Sequence, residues 1–380
     1  MRRRWSLVFL GLSMSLGGLA LAGTTTPDGH ARADRILDEQ VSAWGAAAEA
    51  GEIPAELDAM RSINAEWDFM ARTFLVLSLS NEMVREPKLE PVYLPVVDAM
   101  IEDTLRAERE LGQEHFLMPY GRRGGWTQDG RSLFVDGEIA LMLTARRAVD
   151  ADRWGWHADK RVGIVAEQLE RGFAESYPDE GWLFCHSMGL AALRLHDHVE
   201  GSDEHAELAR GWVEMAKVEL VDEQTGLLVS AFEMDGDHLD GPEGSSIWLS
   251  ATNIWLVDPA FAEEQYGLAK GELGATLMGM GYAREWPASW PGHVDVDSGP
   301  IVPGIEASAS SSGFALLASR AFGDERWNRQ LVRALDAADA IMERDAHLRE
   351  MADNAVGDAV ILYSFSHGPL WEKVGPYPQG

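Results

Sequence analysis

The chain has 380 residues, 46% of them hydrophobic and 25% charged, which is ample for a full globular core. Its 62 acidic and 32 basic residues give a formal net charge of −30, and such a surface repels nucleic-acid backbones and anionic lipid. The single cysteine, Cys185, excludes an internal disulfide and any zinc or iron–sulfur site that needs several cysteines. We therefore expect a small-molecule substrate and no nucleic-acid partner.

The N-terminal segment, residues 1–23, is typical of a signal peptide. Residues 2–4 are arginines, an apolar stretch covers residues 6–20, and residues 20–22 form a small-x-small cleavage site. The stretch is short for a transmembrane helix. We predict that the protein is exported to the periplasm or the medium, and an uncleaved membrane anchor is the alternative.

From residue 33 onward the hydrophobic pattern is helical, and two kinds of helix alternate. The segment 161–173 represents the first kind, because its apolar residues fall on one stripe opposite a charged face. The second kind is apolar nearly all round, and such helices have to be enclosed by other parts of the protein. The enclosed helices are predicted at 69–79, 184–195, 247–257 and 314–322.

This alternation predicts an all-α fold in a single domain that covers residues 33–380. Enclosed and amphipathic helices repeat at roughly 50–60 residues per pair, which favours an (α/α)6 barrel, a toroid of helical hairpins. A helical solenoid is the structural alternative. The β-like run at 225–233 and the turn-rich segment after it predict one short β-hairpin insertion.

Polar residues just before the enclosed helices are the candidate site, because in a toroid these loops meet at one mouth. For catalysis we predict Glu138, Cys185, Asp129 and Asp297. The candidates for substrate binding are Trp67, Asp68, Tyr120, Trp126, Asp179, Trp182, His186, Ser246, Trp248 and His367. Structural roles stay open for several of them, since an aspartate before a helix is a common N-cap and a lone buried cysteine is commonly a small hydrophobic residue.

Sequence motifs exclude several classes of enzyme. The chain has no phosphate-binding GxxxxGK, no GxGxxG, no HExxH and no GxSxG. The loop at 235–241 has the wrong ligand spacing for a calcium loop, and we interpret it as an exposed turn. We expect neither a cofactor nor a metal.

Several segments in the C-terminal two-thirds of the chain resemble one family in their order and spacing. They are Trp126-Thr127-Gln128-Asp129-Gly130, Pro178-Asp179 followed by Cys185-His186-Ser187, residues 221–226, Asp258-Pro259-Ala260-Phe261, residues 295–299 and residues 312–324. From about residue 125 the chain resembles the bacterial linalool dehydratase/isomerase family, (α/α)6-barrel lyases that act on monoterpene alcohols.

The resemblance implies a lyase or isomerase that acts on a small alcohol. The family's dehydration is attributed to two cysteines and a histidine. By alignment with those positions, Cys185 matches the second cysteine, Ser176 stands near the first, and Glu138 stands at the histidine.

These replacements favour acid/base chemistry. Glu138 at the start of an apolar helix would be desolvated and suited to a general acid, with Asp297, Asp129 or Asp179 as the base. One alternative is a carbohydrate-processing enzyme with paired carboxylates and tryptophan platforms. Another is an exported toroid that binds a ligand without converting it, and a homo-oligomer also stays open.

Overall fold

The computed structural model describes residues 29–50, 52–292, 299, 301–302, 304–342 and 355–378. It is mostly helical, with 67% helix and 7% strand, and its strands form small antiparallel sheets. The predicted signal peptide and Asp297 lie outside the described residues. Among the helices that are described, none is both long enough and apolar enough to cross a membrane.

The helices are numbered here in chain order. They are α1 Gly29–Ala50, α2 Ala55–Ile63, α3 Ala65–Arg85, α4 Glu90–Leu111, α5 Leu133–Val149, α6 Gly155–Leu169, α7 Leu183–Glu200, α8 Ala206–Glu219, α9 Gly244–Ile254, α10 Pro259–Glu272, α11 Ala309–Ala321, α12 Glu325–Met342, α13 Ala355–Ser366 and α14 Pro369–Val374. Short 3-10 turns lie at Pro87–Leu89, Gln113–Phe116 and Pro119–Arg123.

Six of these helices are buried along most of their length, namely α3, α5, α7, α9, α11 and α13. They contain the segments that the sequence predicts to be enclosed, because a helix that is apolar all round is stable only when other elements cover it. Two bounds differ, since α9 ends at Ile254 rather than residue 257 and α11 at Ala321 rather than residue 322. Each buried helix contacts the next in chain order, and α13 contacts α3, so the contacts close into a cycle.

The remaining long helices bury one face against this cycle. Helix α4 contacts α3 and α5, α6 contacts α5 and α7, and α12 contacts α11. The N-terminal helix α1 contacts α13, α4 and α12. Helix α6 confirms the amphipathic pattern, but it ends at Leu169 rather than residue 173 because the chain turns at Gly172, whose φ is 86°.

The strands are short and come in three sheets. The strands are β1 Gly181–Trp182, β2 Ala231–Phe232, β3 His238–Asp240, β4 Gly274–Leu277, β5 Met280–Ala283, β6 Ile301–Val302 and β7 Ala307–Ser308. The predicted insertion corresponds to β2 and β3, which pair antiparallel, and β1 joins their sheet just before α7. The hairpins β4–β5 and β6–β7 were not predicted.

The buried helices run in the same direction, so their first turns lie at one end of the cycle. The rings of Phe69 and Phe134, near the starts of α3 and α5, are 5.4 Å apart. Helices α5 and α7 pack closely where Gly137 faces Gly189. A Cβ atom at Gly137 would lie only 3.5 Å from the backbone nitrogen of Gly189. We call the two ends of the cycle the first-turn end and the last-turn end.

Candidate functional site

Glu138 is the most unusual polar residue at the first-turn end. It lies in α5 and has no exposed surface, and neither carboxyl oxygen has a partner with hydrogen-bond geometry among the described residues, although the Thr73 hydroxyl is near enough to act on it. Burial raises the pKa of Glu138 to about 8, while the nearby Thr73 hydroxyl opposes this shift only in part. The single proton of the Thr73 hydroxyl makes only a long contact with the Phe69 carbonyl, at 3.5 Å, and can turn towards a charged Glu138 instead. Glu138 is therefore protonated at neutral pH and able to donate a proton.

Cys185 lies on the neighbouring helix α7 and faces the same region. It is 5% exposed, and burial raises the pKa of its thiol well above the usual range, with a further contribution from the charge of Glu138. The side chain of Ser176 opposes this shift by hydrogen bonding. A neutral thiol is a poor nucleophile, so this environment does not activate Cys185 for covalent chemistry.

Aromatic side chains from alternate buried helices meet inside the cycle. Phe74 of α3 and Phe314 of α11 have ring centroids 5.6 Å apart, and Phe184 of α7 lies 6.3 Å from Phe314. Tyr363 of α13 stacks on Phe74 at 5.7 Å. Phe74 of this cluster directly follows Thr73, the residue of α3 whose hydroxyl acts on Glu138.

Two other buried aspartates near the helix starts have counter-ions. Asp136 accepts from Arg131 Nε at 3.0 Å and also pairs with Arg161. Asp68 accepts from Arg72 Nε at 3.0 Å and pairs with Arg61. Asp68, a predicted substrate-binding residue, therefore holds two arginines inside the protein.

His186 connects the start of α7 to the preceding loop. Its Nδ1 donates to the Trp182 carbonyl at 2.8 Å, and its Nε2 accepts from the Ala174 backbone N–H at 3.0 Å. Burial lowers the pKa of His186 to about 4, so the ring is neutral, and it stacks on Trp212 with centroids 5.1 Å apart. Both ring nitrogens are used within the protein, which gives His186 a positioning role.

Asp129 and Asp179 lie in exposed loops that Glu175 holds in place. The Glu175 carboxylate accepts from the backbone N–H groups of Thr127 at 2.7 Å, Gln128 at 2.9 Å and Asp179 at 2.8 Å. Asp129 is ion-paired with Arg171 at 2.9 Å on the surface. Sequence reasoning missed Glu175, because nothing in the segment 174–180 distinguishes it from the neighbouring acids Asp179 and Glu180.

Tyr120 stacks on Tyr177 with ring centroids 4.5 Å apart, and its hydroxyl lies 3.4 Å from Glu180. Tyr177 in turn donates to Glu66 and accepts from the Met118 backbone N–H at 2.9 Å. The structure therefore places Tyr120 in a polar network above the helix starts. Tyr177 and Glu66 belong to this network although the sequence analysis did not select them.

The predicted tryptophans differ in exposure. Trp248 is completely buried, and its indole N–H donates to Ser311 at 3.0 Å. Trp67, Trp126 and Trp182 are partly buried and pack against the core. Ser246 is buried at the start of α9, and its hydroxyl has no hydrogen-bond partner among the described residues.

His367 lies at the last-turn end, just after α13, and so at the opposite end of the buried helices from Glu138. Of the four predicted catalytic residues, the structure brings together Glu138 and Cys185, leaves Asp129 on the surface, and does not describe Asp297.

Three clusters in the described part of the chain have a geometry that could hold a metal ion. They are His196, Asp197 and His205; Asp159, His196 and Glu200; and Glu233, Asp235 and Asp237. Asp197 already accepts from His205 Nδ1 at 2.7 Å and from the Tyr377 hydroxyl at 2.9 Å, so protein donors occupy both its oxygens.

No protein-family model matches this chain, and a search of curated proteins finds no similar sequence. The resemblance to the linalool dehydratase/isomerase family therefore stays a prediction from the residues quoted above.

Proposed function

We propose that this protein is an acid/base lyase or isomerase that acts on a small terpenoid or other alcohol, with Glu138 as its catalytic acid. The observation that carries the proposal is a fully buried carboxyl group with no hydrogen-bond partner among the described residues. Its pKa of about 8 keeps it protonated at neutral pH. A protonated acid in an apolar site is suited to protonate a departing hydroxyl group.

The proposal includes an (α/α)6 toroid built from six helical hairpins. The closed cycle of contacts among α3, α5, α7, α9, α11 and α13 supports it, as does the layer of outer helices that pack against neighbouring buried helices. In such a toroid, side chains near the first turns of the buried helices surround one interior, which Glu138 and Cys185 would share.

The reaction needs one group that first gives and then takes a proton. Glu138 donates its proton to the substrate hydroxyl, the C–O bond breaks, and its electron pair leaves with water. The Glu138 carboxylate then removes a proton from the adjacent carbon, and the C–H electrons form the alkene. Alcohol gives alkene and water, and the acid returns to its starting form. Return of water to another carbon gives an isomer.

The aromatic cluster of the buried helices suits a substrate with an apolar body. Phe74, Phe184 and Phe314 would supply aromatic faces, which stabilise positive charge that develops as the C–O bond breaks. Cys185, whose burial keeps the thiol neutral, would position the substrate hydroxyl by hydrogen bonding. The resemblance to terpenoid lyases points to the same class of substrate.

The carbohydrate alternative has less support. It needs two carboxyl groups that flank one bond. Asp68 and Asp136 are both engaged by arginines, and Asp129 faces Arg171 at the surface. Trp248, proposed as a sugar platform, is fully buried.

The test is product analysis by mass spectrometry after incubation with pooled small terpene alcohols and, separately, pooled oligosaccharides. We expect water loss or isomerisation of an alcohol by the wild type and a decrease in turnover of about 10²–10⁴-fold in Glu138→Gln. The matched control is Glu263→Gln, a change at an exposed position of α10, which retains wild-type turnover.

Three results would contradict the proposal. Equal turnover by Glu138→Gln would remove Glu138 from the mechanism. Cleavage of an oligosaccharide would place the protein among carbohydrate-processing enzymes. Absence of product from both pools would favour a protein that binds its ligand without converting it.

A further inference from the structure

A cavity lies at the last-turn end of the buried helices, away from Glu138. Its volume is ≈390 Å³, and the chain segments around it come from the ends of α3, α9, α11 and α13. The lining residues used below are Arg85, Trp255, Arg320, Phe322, His367 and Trp371.

Two arginines line this cavity. Both arginines are exposed, at the mouth of the cavity. Partial desolvation and the positive charge of Arg85 lower the pKa of Arg320, so the two guanidinium groups are close enough to act on each other. Each also binds the end of α13: Arg85 donates to the Ser366 carbonyl at 2.7 Å, and Arg320 Nε donates to the His367 carbonyl at 3.0 Å. A guanidinium has five N–H donors, so these contacts leave several donors of each arginine for another partner.

Two acidic groups, Glu82 and Glu372, lie near the two arginines. Glu82 pairs with Arg85, and Glu372 lines the cavity, and both act on Arg320 through their charges. Arg320 makes no ion pair with any residue that the structure describes.

His367 supplies a buried polar ring without a partner. It is 6% exposed, and neither ring nitrogen has a hydrogen-bond partner among the described residues. Burial and the charge of Arg320 lower the pKa of His367 to about 3, so the ring is neutral, with one donor and one acceptor nitrogen. Buried polar groups are normally paired, so a ring that has no protein partner and lines a cavity is available to a molecule bound there.

We propose that this cavity binds a small organic acid, with its carboxylate against Arg85 and Arg320 and its apolar body against the aromatic lining. Guanidinium groups bind carboxylates through paired, charge-assisted hydrogen bonds. Trp255, Phe322 and Trp371 supply the apolar wall. The site is distinct from the one around Glu138, so it goes beyond the proposed lyase activity.

The test is isothermal titration calorimetry with 3-phenylpropionate and its uncharged amide as probes. We expect saturable binding of the acid by the wild type and binding of the amide weaker by about tenfold or more, since the amide loses the charge-assisted bonds. Arg320→Gln should weaken binding of the acid by a similar factor. Arg109→Gln, at an exposed arginine paired with Glu110, should bind as the wild type does.

Because Arg320 also holds the His367 carbonyl, a second variant separates binding from folding. Ala321 is exposed and lines the cavity, so Ala321→Trp should fill it and abolish binding without removing either arginine. Glu138→Gln should bind the acid normally, which keeps this test independent of the lyase proposal. Equal affinity for acid and amide, unchanged binding by Arg320→Gln, or no saturable binding of the acid would each overturn the proposal.

Discussion

Helix α5 buries two carboxyl groups near its first turn, one with charged partners and one without. Asp136 and Glu138 are two residues apart, and neither has any exposed surface. Asp136 faces Arg131, Arg161 and Gln168, so its charge is balanced inside the protein. Glu138 faces Thr73 and Cys185, and no charged partner lowers its pKa.

This difference distinguishes a carboxylate that stabilises the fold from a carboxylic acid that can transfer a proton. A buried charge is stable when it is paired and hydrogen-bonded, and otherwise the group becomes neutral. Asp136 is paired and hydrogen-bonded, and it joins helices α5 and α6 through Arg161. Glu138 has no charged partner and is neutral, which makes it an acid that can give a proton at neutral pH.

The largest effect is expected from Asp136→Asn, which removes the paired carboxylate. Removing this charge leaves Arg131 and Arg161 with less compensation, and loss of one partner of a buried ion pair costs about 3–5 kcal/mol of the free energy of unfolding. Chemical denaturation at neutral pH measures this loss. The control is Asp129→Asn at the surface pair with Arg171, where about 1 kcal/mol or less is expected. Equal effects of both variants would contradict the distinction.

The unpaired carboxyl group predicts a stability that falls with rising pH. Because the pKa of Glu138 is about 8 in the folded protein and near 4.5 in the unfolded chain, the folded state binds the extra proton between these values. The free energy of unfolding therefore decreases with rising pH in this window, by up to about 1.4 kcal/mol per pH unit. The stabilisation from this group is complete below pH 4.5 and is lost as pH rises through about 8.

Glu138→Gln removes that dependence, because an amide has no proton to lose. Its free energy of unfolding, measured by urea denaturation from pH 5 to 9, should exceed that of the wild type increasingly as pH rises. Glu263→Gln serves as the control and should follow the wild-type curve. Parallel curves for wild type and Glu138→Gln would show that Glu138 titrates normally.

Thr73→Val sharpens the same comparison with a smaller effect. The Thr73 hydroxyl favours the charged form of Glu138, so its replacement by a methyl group should raise the pKa of Glu138 further, by about one unit or less. The shift is measured as a displacement of the pH dependence of stability towards higher pH. A displacement towards lower pH would be inconsistent with the contact between these side chains.

Cys185 gives the smallest expected effect, because its thiol should remain unreactive. Burial keeps it protonated, so a thiol reagent should modify it only as fast as the protein unfolds. Labelling with iodoacetamide across a denaturant series, followed by mass spectrometry, tests this expectation. Rapid labelling of the folded protein would indicate an accessible thiolate and would restore a nucleophilic role for Cys185.

The sequence predicts the enclosed helices and Glu138 because both are local signals. A run of apolar residues over several turns has few stable environments, and an acid within such a run stands out. The partners of Asp136 could not be predicted, since Arg161 lies on another helix and only the packing of α5 against α6 brings it close. The sequence also could not predict that His367 lies at the opposite end of the buried helices from Glu138, because this depends on the direction in which the helices run.

The missed β4–β5 hairpin has a local cause. Its turn is formed by Met278 and Gly279, whose φ angles are both positive, 52° for Met278 and 82° for Gly279. Such turns normally use asparagine or aspartate before the glycine, and methionine gives no such signal. The pairing of Thr276 with Gly281 in the flanking strands follows from the turn.

The most direct test of the account is titration of the Glu138 carboxyl group by NMR. Protein labelled with ¹³C at the glutamate carboxyl carbons would be followed from pH 4 to 10, and the Glu138 signal would be assigned by its absence in Glu138→Gln. The account predicts a midpoint near 8 for this signal. A midpoint near 4.5 would mean that Glu138 is charged at neutral pH, and it would contradict its role as the catalytic acid.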